Sequence, residues 1–133
     1  SVLPGDPDYA QYLFWMHFTH TLQSVLLIKL AFQAGGAQAC YDNPMTTTTQ
    51  RREDGIYNAL EQRLKKSDYL GGNRFTCADI MSMFNLTSLS MLGARQIDDA
   101  LPNTLAYVQR VTARPAYQKA MSIAGPEATP PAA

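Results

Sequence analysis

Four polar side chains, His17, His20, Thr21 and Ser24, stand at i, i+3, i+4 and i+7 within an otherwise apolar stretch. That spacing places them on one face of a helix. Such a stripe ordinarily faces water or satisfies buried hydrogen bonds. Two imidazoles at i and i+3 have the types to share a metal ion, but no third Cys, His or carboxylate stands at a matching spacing on the same helix, so no metal site is assigned. Cys77 is the other group with chemical potential. It follows Thr76 at the first position of a helix, where the dipole lowers a thiol pKa. A reactive thiol also needs exposure, and a small buried residue is the expectation for Cys77. No Ser-His-Asp order, glycine-rich phosphate loop or paired carboxylate site is present, so no catalytic residue is assigned.

The polar stripe must be positioned by a long helix. Asp6 and Pro7 form a start signal, and from Tyr12 to Gln33 no Gly or Pro interrupts until Gly35-Gly36. His17, Thr19, His20, Thr21, Gln23, Ser24 and Lys29 break the apolar run too often for a membrane span of roughly 20 residues. Tyr12, Phe14, Trp15 and Phe18 read as core and dimer contacts. A helix apolar on several sides packs against more than one neighbour, which predicts a two-fold dimer through the first two helices.

Residues 37 to 46, with Asp42-Asn43-Pro44, read as a loop. A second helix is expected from within Thr46 to Thr49 to about Lys66, with a capping box of Thr47 and Gln50 and a buried side of Ile56, Ala59, Leu60 and Leu64. Arg63, Lys65 and Lys66 suit its C-terminal dipole, and the mixed-sign run Arg51, Arg52, Glu53, Asp54 reads as a solvated face. Beyond Gly93, the signals Asp98, Asp99 and Pro102 open another helix with Leu101, Leu105, Val108 and Thr112 on one face. Arg114-Pro115 ends it and starts a last helix bearing Tyr117, Ala120, Met121 and Ala124. The fold class predicted is all-α, a bundle of about five helices. Residues 1–6 read as a linker remnant, 7–124 as the helical domain and 125–133 as an extended tail.

Eleven basic residues balance eleven acidic ones, leaving no net field to steer nucleic acid, an anionic membrane or a polyanion. The two cysteines, Cys40 and Cys77, are expected as reduced thiols in a cytoplasmic protein.

The most informative stretch is Asn73 to Met81. Thr76 and Asp79 form a capping box, and Phe75 and Ile80 are spaced for a hydrophobic staple. Ile80, Met83, Phe84, Thr87 and Met91 then recur on one helical face. Together with the loop Tyr69-Leu70-Gly71-Gly72, the step Ala78-Asp79-Ile80 and the later junction Ala113-Arg114-Pro115-Ala116-Tyr117, this resembles the all-helical C-terminal domain of cytosolic glutathione transferases. The resemblance implies a substrate domain for small hydrophobic electrophiles, with glutathione as co-substrate and no resident cofactor. It implies an N-terminal thioredoxin-like domain as partner, which binds glutathione and activates its thiol. That domain is outside these residues, so this chain is expected to be inactive alone. The helix bearing His17, His20, Thr21 and Ser24 would line the cleft between the two domains and help form the electrophile site. The same helical fold also serves assembly and translation-factor proteins, which makes a non-catalytic interaction module the alternative.

Overall fold

A computed structural model describes residues 2–34, 44–89 and 95–124. Among them stand five α-helices: α1 (Tyr9–Ala34), α2 (Pro44–Leu64), α3 (Cys77–Leu86), α4 (Pro102–Thr112) and α5 (Pro115–Ala124). The described residues contain no strand, only an isolated bridge between Tyr69 and Gly72. The all-α reading therefore holds. The expected stops at Gly35-Gly36 and Gly93, residues 37–43 of the expected loop, Cys40, Met91 and the tail at 125–133 lie outside the described residues; residues 44–46 of that loop are instead the first turn of α2, which Pro44 opens.

Helix α1 packs against both α2 and α3, α4 bridges α2 and α3, and α5 leans on α4. Trp15, Leu22, Val25 and Leu26 of α1 meet Ile56, Tyr57, Leu60 and Leu64 of α2 in one apolar cluster, which Met83, Leu86, Tyr107 and Val111 close from the other side. Between α1 and α3 the contact is partly polar. The hydroxyls of Thr19 and Ser82 are 2.8 Å apart, and Asn85 Nδ2 donates to the Thr19 carbonyl at 3.1 Å. These pairs satisfy groups that burial would otherwise leave unpaired.

The start of α3 is organised by Asp79, whose side chain is fully buried. Its Oδ2 accepts the Thr76 amide at 2.7 Å and the Thr76 hydroxyl at 3.0 Å, while Oδ1 accepts the Leu70 amide at 2.9 Å and the Tyr107 hydroxyl at 3.0 Å. The capping box is present. Its carboxylate does more than cap, because it also ties the preceding loop and α4 to the same point. A buried carboxylate without a cation is tolerable here because it sits at a helix N-terminus among converging donors. Tyr107 is correspondingly pushed well above its ordinary pKa, first by desolvation and then by the Asp79 charge.

This inward carboxylate also sets the rotation of α3, and three expectations fail for that reason. With Asp79 pointing in, the next residue lies about 100° around the helix. Ile80 is therefore 58% exposed and forms no staple. Phe75 instead packs edge-on against Tyr69, with ring centroids 5.7 Å apart, and lies beneath the Arg114 guanidinium at 3.8 Å. Of the predicted stripe, Met83 and Thr87 are buried but Phe84 is exposed, and Ala78, Asp79, Ser82 and Leu86 complete the buried face. Cys77 is likewise exposed as a free thiol, not a buried residue.

The loop feeding α3 is a tight one. Tyr69 and Gly72 exchange backbone hydrogen bonds at 2.9 and 3.2 Å. Gly72 has φ +132, a conformation that L side chains rarely adopt, and a Cβ there would also meet the Asp8 carboxylate, so glycine is favoured. Arg74 reaches Asp6 at 2.9 Å. Helix α1 begins at Tyr9, so Asp8 and not Asp6 directly precedes it and Asp6 is not its cap; the Tyr9 amide donates to the Asp6 carbonyl at 3.0 Å in a turn ahead of the helix.

Two further helix starts differ from the sequence reading. Helix α2 begins at Pro44, so Thr47 and Gln50 lie inside it and form no capping box; Gln50 instead bonds Asp54 at 3.0 Å. At the start of α4 the cap comes from another helix. Glu61 of α2 accepts the Asn103 and Thr104 amides, both at 2.9 Å, and the Thr104 hydroxyl at 2.7 Å. The face of α4 turned inward is accordingly Thr104, Tyr107 and Val111, with Leu105, Val108 and Thr112 only half-buried.

Two outcomes follow from these carboxylates. Asp79→Ala should lower stability by about 3 kcal/mol or more and Thr76→Ala by about 1 kcal/mol, since the first strands several buried donors and the second removes one cap. Urea melting of both variants measures this, and equal midpoints for Asp79→Ala and wild type would refute it. For Glu61, burial pushes the pKa up, but the bonds from Asn103 and Thr104 outweigh it and hold the folded value below the ordinary 4.5. A depressed folded pKa means stability that is present above the unfolded value and lost as pH falls through the folded one. The stability gap between wild type and Glu61→Gln should thus be widest near neutrality and close below the carboxylate range; a gap unchanged by acid would contradict the bonding described.

Candidate functional site

A cleft of about 550 Å³ opens between α1 and α2, within the size range of small-molecule sites. Its apolar wall is built by Phe18, Val25 and Ile28 from α1 and by Ile56 and Ala59 from α2. Three residues of the predicted polar stripe, His20, Thr21 and Ser24, line it from α1. His17 does not, although it lies on the same helix face, one turn nearer the N-terminus. All four are exposed. The Ser24 hydroxyl donates to the His20 carbonyl at 2.8 Å, which holds it along the helix.

The two walls are held together by a charge pair beside the cleft. Lys29 Nζ of α1 lies 2.8 Å from Glu53 Oε2 of α2, and Glu53 is only 1% exposed. The run 51–54 is therefore not uniformly a solvated face: Arg51, Arg52 and Asp54 face outward, but Glu53 turns in. An unpaired carboxylate there would be costly, so the pair fixes how α1 and α2 meet. Tyr57, one turn further along α2, has its phenol pushed up to about 12, by burial first and by the Glu53 charge second, with Arg95 opposing. The Arg95 guanidinium lies over the same ring at 5.7 Å.

The expected aromatic contacts divide. Trp15 is buried and Tyr12 half-buried, Phe18 lines the cleft, and Phe14 is 52% exposed. No grouping of three His, Cys, Asp or Glu side chains suited to a metal ion is present among the described residues. No helix there is long and apolar enough to cross a membrane.

Two further lining residues are Arg52, which the sequence reading assigned to a solvated face, and Gly55, which it did not single out. Each had a signal. Thr48, Thr49, Gly55 and Ile56 occupy the neighbouring helical positions of Arg52, so no acid stands at i±3 or i±4 to pair with it. Gly55 falls in the interior of a 21-residue helix, where glycine costs about 1 kcal/mol relative to alanine.

The family model for the glutathione S-transferase C-terminal domain matches residues 24–115. The chain belongs to this family. It is 30% identical over 80 residues to a glutathione S-transferase of Hyoscyamus muticus, covering 60% of this chain and 38% of that one. It is 30% identical over 105 residues to a glutathione S-transferase of Arabidopsis thaliana, covering 74% of this chain and 46% of the relative. A crystal structure of a glutathione S-transferase from Actinobacillus pleuropneumoniae superposes with a TM-score of 0.69 at 23% identity, over 85% of this chain and 49% of that one, which speaks to the fold. The chain thus spans less than half the length of the relatives it matches.

Proposed function

We propose that this chain is the electrophile-binding half of a glutathione transferase that conjugates or reduces small hydrophobic compounds with glutathione. The observation that carries the reading is the apolar cleft between α1 and α2, with His20, Thr21 and Ser24 in its wall. Activation of the glutathione thiol would fall to an N-terminal thioredoxin-like domain. Nucleophilic catalysis requires a group that lowers the thiol pKa and holds the thiolate, and in this reading that group belongs to the thioredoxin-like domain. Phe84 and Ile80 on α3 and Phe14 on α1, each more than half exposed, are apolar side chains that such a domain could cover. A role in clearing reactive compounds in the cytoplasm accompanies this reading.

The test uses the protein joined to its thioredoxin-like domain. His20→Leu and Thr21→Leu should change the ratio of kcat/KM for two electrophiles of different size, because a pocket wall discriminates through contacts in the transition state. Circular dichroism controls for folding. Identical ratios in wild type and both variants would place the stripe outside the pocket. Robust conjugation by the 133-residue chain alone would overturn the division of labour.

A homodimer through α1 and α2 is the further partner in this proposal. Leu27 of α1 is 59% exposed and Met45 of α2 is 49% exposed, and neither lines the cleft, so pairing and ligand binding use different residues. Sedimentation should show a dimer that Leu27→Asp dissociates; a strictly monomeric species at high concentration would count against it.

A further inference from the structure

We propose that the end of the bundle where α2 passes into the loop before α3 is a docking surface for an extended acidic peptide segment of a partner protein, with Arg110 and Arg114 receiving its carboxylates. The chain carries no net charge, but its cations are unevenly spread. Arg63, Lys65 and Lys66 stand at the end of α2 and in the turn after it, and Arg110 and Arg114 reach the same loop from α4 and the α4–α5 junction. Residues 61–75 and 105–115 contain two acids, Glu61 and Asp68. Glu61 is engaged at the start of α4. None of the five cations lines the α1–α2 cleft, so the surface is separate from it.

The two arginines are held by aromatic rings. Tyr69 and Phe75 pack edge-on with centroids 5.7 Å apart; the Arg110 guanidinium lies over Tyr69 at 5.8 Å and that of Arg114 over Phe75 at 3.8 Å. Stacking restricts the long side chain and leaves the N–H donors at the guanidinium edge. Arg110 also donates to the Asp68 carbonyl. Its contact with the Asp68 carboxylate is long, 3.5 Å, between side chains 40% and 66% exposed, a pairing that an incoming carboxylate can exchange at little cost. Arg114 has no ion pair among the described residues, and neither do the exposed Lys65 and Lys66. Arg63 donates through Nε to the Leu70 carbonyl at 2.9 Å, while its Nη2 is buried without a partner. Its charge therefore adds to the same field.

Spacing and chemistry select the partner. Alternate side chains on one face of an extended strand stand about 6.6 Å apart, close to the separation of the two rings that carry the guanidiniums. Carboxylates pair with guanidinium forks, and the neighbouring lysines add attraction without direction. Nucleic acid fits less well, because the ring faces that would stack bases are occupied by the arginines.

Fluorescence anisotropy of the 133-residue chain tests this with three labelled probes: a peptide alternating Ser and Glu, the same peptide with Gln for Glu, and an oligodeoxythymidine of equal charge. The glutamate peptide should bind, its affinity should fall with added salt, and the glutamine peptide should not bind. Arg110→Gln combined with Arg114→Gln should weaken the glutamate peptide about fivefold, the scale of two exposed ion pairs. Arg110→Lys combined with Arg114→Lys should restore only part of that loss, because lysine keeps the charge without the fork. Arg51→Gln, about three turns back along α2 from Arg63, should change nothing. Circular dichroism checks folding. Should the arginine pair prove necessary for the fold, Lys65→Gln with Lys66→Gln, both at exposed positions, should still weaken binding about twofold. Absence of binding by the glutamate peptide overturns the proposal, as does an equal loss in Arg51→Gln, which would reduce the effect to net charge. Tighter binding of the oligonucleotide than of the peptide would assign the surface to nucleic acid instead.

Discussion

The start of α3, the loop ahead of it and α4 converge on one buried carboxylate. Asp79 accepts donors from its own cap, from the loop ahead of it and from Tyr107 of α4. Remove the charge and three elements lose a common anchor, because each donor would be left in a site without water. The rotation of α3 follows from the same demand. Pointing Asp79 inward turns Ile80 and Phe84 outward, and that exposed apolar surface is a consequence of polar geometry, not of hydrophobic patterning. Glu61 repeats the logic on a smaller scale by capping α4 from α2. Two carboxylates thus organise a bundle whose mass is apolar.

The second organising relation is between α1 and α2. They touch closely along Leu22, Val25, Leu26, Ile56 and Leu60, and the Lys29–Glu53 pair fixes their contact at one end. Beside that seam the helices leave a cleft, which Gly55 lines without a side chain. The glycine forfeits helix propensity that alanine would supply. A position that sacrifices local stability next to a cavity is where binding, not folding, is expected to set the residue.

Much of the architecture was legible in residues alone. The Thr76–Asp79 box, Pro102 and Pro115 at helix starts, and the long uninterrupted run of α1 all appear where local rules place them. Those rules concern groups within one helical turn of each other, and such groups meet whatever the rest of the chain does. Two of the failures share the opposite character. The staple of Phe75 and Ile80 gave way to Tyr69 and Arg114, and the buried face of α4 was set by Glu61 and Asp79. In each case a partner distant in sequence competed with a local one and won.

The candidate site shows the same division. Periodicity placed His17, His20, Thr21 and Ser24 on one face, and that much a helix guarantees from 3.6 residues per turn. It could not say that the cleft takes in His20, Thr21 and Ser24 but not His17, since that depends on where α2 crosses α1. Nor could it separate Arg52 from Glu53, adjacent charges of which one faces the cleft and the other is buried against Lys29. Sequence by itself determined the helices, the Thr76–Asp79 cap and the polar face of α1, because these arise from backbone hydrogen bonding and local spacing. Only the tertiary structure decided which side of each helix was buried and which charges stayed unpaired, because those depend on packing between residues far apart in the chain.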